Sequence, residues 1–328
     1  MMEKLGTYEL TGHLTSQNSG YSVWGFGRKN GRDYFIKQFL SPKYPENDTV
    51  SSPERLKKKI NQCRRFEQRK VAVYQKLNEN SDGNAVRVEE FFRIESKYYI
   101  TMRKIEALPW DVEKLASLPE EEKYFLCAII AHGIAGLHKG RVIHADLKHD
   151  NVLFMRTPAG NVTAKIIDFD SSFLETDPPA AGEEIIGDLV YFSPEACRSI
   201  WGEELELTCK MDIFSLGVLF HQYFAGELPG FDREKCTYPG EAVAKGESIT
   251  VSPDLPEDLR DLLERMMLPD PALRPTAMEV YHALSKKLNG TPAEPAEAYT
   301  VEPPAPEVVA APVSAPKPAG TFFRPGDL

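Results

Sequence analysis

The sequence predicts an α+β protein of two lobes with a Pro/Ala-rich tail. The first hundred residues are mostly strand-like with one helix, helical patterns dominate from Trp110 onward, and the composition changes near Asn289. At 328 residues the chain is longer than a typical single core, and its 42% apolar content can fill more than one. The expected boundaries are 1–105, 106–288 and 289–328.

Tyr34–Phe39 is an aromatic and β-branched run behind the turn signal Asn30-Gly31, which predicts a hairpin. Ser41 to Pro53 carries three prolines and reads as a loop. From Glu54 to Leu77 the apolar residues Leu56, Ile60, Cys63, Val71, Tyr74 and Leu77 recur at helical spacing. Val86 to Met102 returns to strand composition. Tyr124–Leu137 reads as an apolar helix, and Ile213–Phe224 is apolar on most faces, as a central buried helix should be. Pro256–Met267 and Thr276–Leu288 are amphipathic. Beyond Asn289 there are nine prolines and few large apolar residues, so ordering entropy is expected to win and leave a disordered, partly polyproline-II tether. Two aromatics, Phe322 and Phe323, interrupt it near the end, either as a docking motif for a partner or as a frayed terminus.

A formal net charge of −10 argues against nucleic acid as a partner. Lys57–Lys59 with Arg64 and Arg65 reads as a solvated helix face. The five cysteines, Cys63, Cys127, Cys197, Cys209 and Cys236, are odd in number and form no C-x-x-C pair, which fits scattered thiols in a reducing compartment. There is no apolar signal core at the N-terminus and no run long enough to span a bilayer, so no membrane association and a cytoplasmic location are expected. His132, His138, His149 and His221 show no metal-ligand spacing with a third donor.

The chemistry concentrates in Val142–Phe154, where apolar runs bracket the polar stretch His144-Ala145-Asp146-Leu147-Lys148-His149-Asp150-Asn151. Phosphoryl transfer needs a carboxylate near the attacking hydroxyl and an oxygen ligand for a cation close by, which Asp146 and Asn151 can supply from one loop, while Lys148 can neutralise charge on the transferred group. Lys165-Ile166-Ile167 then leads to Asp168-Phe169-Asp170. The separation from Asp146 suits a hairpin that returns Asp168 beside Asn151, giving oxygen ligands to a hard cation.

These residues resemble the signature set of the eukaryotic-like Ser/Thr protein kinase family. His144–Asn151 resembles the catalytic loop and Asp168–Asp170 the magnesium-binding motif. Gly187–Glu195 resembles the end of the activation segment, with Ser193-Pro194-Glu195 in place of Ala-Pro-Glu. Asp212–Gly217 resembles the start of the buried central helix and Arg274-Pro275-Thr276 the late arginine motif. The resemblance covers roughly 280 residues in order and spacing. It implies a two-lobed protein-kinase-like fold with a small β-rich N-lobe and a larger helical C-lobe. ATP would lie between the lobes, with its adenine near the Met102–Ile105 connection. It assigns Asp146 as catalytic base, Lys148 as stabiliser of the γ-phosphoryl group, and Asn151 and Asp168 as ligands of Mg2+ or Mn2+. Asp212 would brace the catalytic loop, and Arg274 would pair with Glu195.

In the N-lobe, Lys37 fits the strand lysine that holds the α- and β-phosphates. Glu67 is the preferred ion-pair partner, ahead of Glu54. Leu14–Ser22 takes the place of the phosphate-covering loop, where only Gly20 matches a family glycine. The chain departs from the family in four further places. Ala145 replaces the arginine that normally receives an activation-segment phosphate. Asp170 replaces a glycine, Asp188 replaces a threonine and is expected to pair with Lys148, and Phe35 replaces a small residue that packs on adenine.

The implied activity is transfer of the γ-phosphate of ATP to Ser/Thr of a protein substrate. Two alternatives stay open at this level. One is a pseudokinase scaffold that binds nucleotide or a partner protein, motivated by Phe35, Asp188 and the poor glycine loop. The other is a small-molecule kinase of the aminoglycoside/choline type, which shares His-x-Asp…Asn but is opposed by Lys148, Asp212 and Arg274.

Overall fold

The computed structural model describes residues 4–17, 22–46, 48–180 and 185–288, and the backbone of 321–323. Gly20 and the other residues of 18–21, and the tail apart from 321–323, lie outside the described residues. The chain forms two compact units. One contains described residues of 1–78 and 86–105 with strand 321–323, and the other contains 79–85 and the described residues from 106 on. The segment 79–85 thus belongs to the second unit and the C-terminal strand to the first.

The first unit opens with β1 (Lys4–Leu5), β2 (Tyr8–Leu10), β3 (Ser22–Lys29) and β4 (Arg32–Phe39). The expected turn joins β3 to β4: Asn30 (φ 50°) and Gly31 (φ 73°) both adopt the left-handed conformation that a tight hairpin of matching twist demands. α1 (Pro53–Asn80) begins with proline at its start, where the missing N–H costs nothing. Val86–Met102 resolves into a hairpin of β5 (Val88–Ile94) and β6 (Lys97–Arg103), turning at Glu95.

All pairs in this sheet are antiparallel, in the order β1-β2-β3-β4-β6-β5, with the C-terminal strand added outside β5. Alternation along the strands divides the aromatics between two faces. Tyr8, Leu10, Tyr34, Ile36, Phe92 and Tyr99 make a core on one. On the other, Phe39, Phe91 and Tyr98 receive Phe66 of α1 at ring separations of 5.2, 6.1 and 5.2 Å. Tyr74 follows at helical spacing and meets Phe91 at 5.7 Å.

The second unit begins with α2 (Val112–Ala116) and α3 (Glu120–Lys139), then β7 (Val142–Ile143), β8 (Val152–Arg156), β9 (Val162–Ile166) and β10 (Phe173–Leu174). It continues through α4 (Pro194–Ile200), α5 (Lys210–Ala225), α6 (Pro239–Ala244), α7 (Glu257–Met266) and α8 (Ala277–Ser285). β8 and β9 form one antiparallel hairpin, and β7 pairs with β10. The apolar stretch expected at 213–224 is the interior of α5, which is buried on nearly every side and stops at Gly226 in the left-handed conformation (φ 81°). α8 starts on a reciprocal capping box between Thr276 and Glu279. α2, α4 and α6 are too short for a periodic signal and were not expected from the sequence. All five cysteines are free thiols. Among the described residues no helix is long and apolar enough to cross a membrane.

Candidate active site

The loop between β7 and β8 carries Asp146, Lys148 and Asn151. The Asp146 carboxylate accepts from Lys148 Nζ at 3.1 and 3.0 Å, from Asn151 Nδ2 at 2.9 Å and from the backbone N–H of Asp188 at 2.8 Å. Asn151 Nδ2 donates again to the Asp146 carbonyl at 2.7 Å. Both amide hydrogens of Asn151 therefore point to Asp146, and its amide oxygen is the atom suited to a cation. The Asp146 and Lys148 side chains keep 12% and 23% exposure, enough to meet a reactant.

Asp212, at the start of α5 and 1% exposed, fixes this loop from below. It accepts from His144 N at 2.8 Å, from Ala145 N at 3.0 Å and from the His138 ring at 2.9 Å. Ala145 sits at φ 66°, a conformation an alanine rarely adopts and one the buried carboxylate over-determines. His138, on α3, which the sequence placed among histidines without ligand spacing, meets the carboxylate that fixes the loop. The usable signal was its helical register beside the loop.

The β8–β9 hairpin returns the chain as expected. Ile167 N donates to the Asn151 carbonyl at 2.9 Å, and the Ile167 carbonyl accepts from His144 Nε2 at 3.0 Å. Asp168 follows directly, at φ 64°, with its carboxylate accepting from Asp170 N at 3.3 Å. Phe169 packs on the His144 ring, 5.1 Å between centroids. Asn151 and Asp168 are thus locked to one another through a single residue. Two oxygen-bearing side chains are what Mg2+ usually takes from a protein, the rest of its shell coming from phosphates and water. No group of three or more His, Cys, Asp or Glu that could hold a metal occurs among the described residues.

The segment ahead of α4 closes over Asp146. A Cβ at Gly187 would fall 2.8 Å from the Ala145 carbonyl and 2.5 Å from the Phe192 ring, so only glycine permits this approach. The expected pairing of Asp188 with Lys148 is not found: the Asp188 carboxylate accepts from Val190 N at 3.0 Å, and Lys148 turns to Asp146. A side chain two residues before a turn finds the nearer backbone donor first. Glu195 and Arg274 form a bidentate pair at 2.6 and 2.8 Å. The remaining Arg274 donors go to the carbonyls of Leu268, Lys210 and Pro269, so the buried guanidinium is saturated.

In the first unit Lys37 is buried in β4, opposite Trp24 of β3 and Ile100 of β6. It faces the side of the sheet on which α1 packs. Glu67 lies on α1, 6% exposed, and accepts from Tyr98 Oη at 2.6 Å, while Glu54 is exposed at the start of that helix. Burial, reinforced by the Glu67 carboxylate beside it, pushes the Tyr98 phenol well above its usual range. Met102 is buried in β6 opposite Phe35, and Ile105 is half-buried just beyond it. Phe35 stacks on Trp24 at 5.6 Å and 24°, and both meet the edge of Phe26. Trp24 was not singled out from the sequence, because only the β3–β4 register places it beside Phe35 on the Lys37 face.

Residues 50–284 match the model of the protein kinase domain. Calcium-dependent protein kinase 14 of Arabidopsis thaliana is 27% identical over 281 residues, covering 83% of this chain and 50% of that protein. Serine/threonine-protein kinase A of Synechocystis sp. is 28% identical over 182 residues, 52% of this chain and 34% of that one. The catalytic subunit KIN12 of the SNF1-related protein kinases of Arabidopsis thaliana is 29% identical over 208 residues, 60% and 37% of the two chains. The chain spans half or less of the length of these relatives. The catalytic loop, the hairpin return to Asp168, the Glu195–Arg274 pair and the matched domain agree: the chain belongs to the eukaryotic-like Ser/Thr protein kinase family.

Proposed function

We propose that this protein transfers the γ-phosphate of ATP to serine or threonine of a protein substrate. The observation that carries the reading is the convergence of Lys148, Asn151 and the Asp188 N–H on the Asp146 carboxylate, with Asp168 tied to Asn151 through Ile167. Asp146 orients the substrate hydroxyl and takes its proton. Lys148, already against that carboxylate, balances charge on the transferred group. Asn151 and Asp168 would hold Mg2+ or Mn2+, which when bound neutralises the phosphate oxygens. Lys37 is proposed to hold the α- and β-phosphates, supported by Glu67 on the helix that covers its face of the sheet. Gly20 is proposed for the phosphate-covering loop, and Met102 and Ile105 for the adenine side. A cytoplasmic site of action fits the scattered free thiols.

Phosphoamino-acid analysis of wild-type reaction products with Mg2+ or Mn2+ tests the specificity. Phosphoserine and phosphothreonine are expected, and phosphotyrosine alone would refute it. The stacked Trp24 and Phe35 favour a second reading, a scaffold with impaired nucleotide binding. Phosphate incorporation that is lost on Asp146→Ala separates the enzyme from the scaffold, since a scaffold can bind nucleotide without transferring it.

A further inference from the structure

The strand Thr321–Phe323 pairs antiparallel with β5, with Thr321 opposite Arg93, Phe322 opposite Phe92 and Phe323 opposite Phe91. Without it β5 ends the sheet, since the order runs β4-β6-β5. An edge strand presents unpaired N–H and C=O groups to any extended chain. β5 blunts part of that edge itself, through the register shift between Val88 and Glu90. The remaining stretch, Phe91–Arg93, is regular, and it is the stretch that the C-terminal strand covers.

The sequence marks the same three residues. Phe322 and Phe323 are the only aromatics after Tyr299, and Pro318 and Pro325 bracket them at a distance that leaves a proline-free window for a short strand. Thr and Phe are strand formers, whereas the Pro/Ala-rich sequence around them is not. We propose that the outer edge of β5 is a docking site for an extended peptide, read through main-chain hydrogen bonds, and that the chain's own Thr321–Phe323 is its occupant. The stretch 289–320 can reach at most about 110 Å when fully extended, so it imposes little restriction on docking. Three residues of strand bind weakly as a free peptide, but a tether of this length keeps them at an effective concentration on the order of millimolar. The mode is strand addition, in which backbone bonds give affinity and alternate side chains give selectivity.

Hydrogen exchange of the full chain tests this independently of phosphotransfer. Amides of 88–94 that face away from β6 should be protected in the wild type. Phe322→Pro removes an N–H from the added strand and should raise their exchange rate about 10-fold or more. Phe322→Val keeps the N–H and the strand preference and should retain the protection. About 100-fold dilution should leave it unchanged. Equal exchange in wild type and Phe322→Pro overturns the docking. Equal loss in the valine variant overturns the main-chain mode, and loss on dilution makes a second copy the occupant instead.

Discussion

The two units differ in how closely they keep their chemistry to plan. In the second, short polar contacts tie Asp146 to Asn151 and Asp212 to the loop that carries them, and separately bind Glu195 to a saturated, buried Arg274. In the first, Lys37 and Glu67 are present and buried, but the sheet face that carries Lys37 also carries the Trp24–Phe35 stack. The family match begins at residue 50, so it takes in α1, β5 and β6 of the first unit but not β3 and β4, which carry Trp24, Phe35 and Lys37. Phosphoryl transfer tolerates little displacement of base and metal ligands. Nucleotide binding can be supplied by differently shaped apolar surfaces as long as the phosphates are held. On the proposed function, the unit that holds Asp146 is the more constrained, and the unit that holds Lys37 is the one whose sequence departs further from the kinase signature.

The sharpest way to break that comparison is at the buried ion pair of the second unit. Arg274→Ala leaves Glu195 charged, buried and alone, and should cost about 3–5 kcal/mol in urea unfolding of the full chain. A cost below 1 kcal/mol would mean that the saturated network does not hold the unit together. Next comes Asp212→Asn. The amide can accept one of the two loop N–H groups well but cannot serve both as a carboxylate does, so loop geometry loosens. Phosphotransfer should fall about 100-fold, with ATP affinity within a factor of about 2 if Asp212 acts through positioning. The first unit gives a smaller effect of opposite sign. Phe35→Ala with Trp24→Val opens the Lys37 face and should tighten ATP binding about 10-fold by titration calorimetry. Weaker binding would show that the stack itself carries the adenine.

The smallest effect is on pH dependence. His221 donates from Nδ1 to the Glu227 carbonyl at 2.8 Å and accepts at Nε2 from Ser252 N at 3.0 Å, so the folded unit requires the neutral ring. Burial holds its pKa below the usual histidine range. Protonation then favours the unfolded chain. The contribution is complete above about pH 6.5 and is lost as pH falls from there through the lowered folded value. Thermal unfolding of His221→Gln between neutral and mildly acidic pH should show a flatter slope than wild type.

Much of the second unit was legible because its chemistry sits in short windows. His144–Asn151 and Asp168–Asp170 each carry several roles within one loop, and the apolar runs beside them announce the strands that fix the loops. The strand that carries Lys37 was legible for a similar reason, as an aromatic and β-branched run behind a turn signal. Residues whose meaning depends on register across elements were not. Trp24 matters through pairing with a residue on another strand, and Asp188 prefers a backbone N–H two residues away to the more distant lysine. The C-terminal strand lay furthest from view. A proline-rich composition argues for polyproline-II, and a three-residue strand has no signal of its own until an exposed edge is there to receive it.

The most direct measurement is transfer of labelled γ-phosphate from ATP with Mg2+ or Mn2+ to a general protein substrate, comparing wild type with Asp146→Ala. Transfer by the wild type and a fall of about 10³-fold or more in the variant, with its fold and ATP binding retained, is the predicted result. Equal incorporation by the two proteins would contradict catalysis by this site.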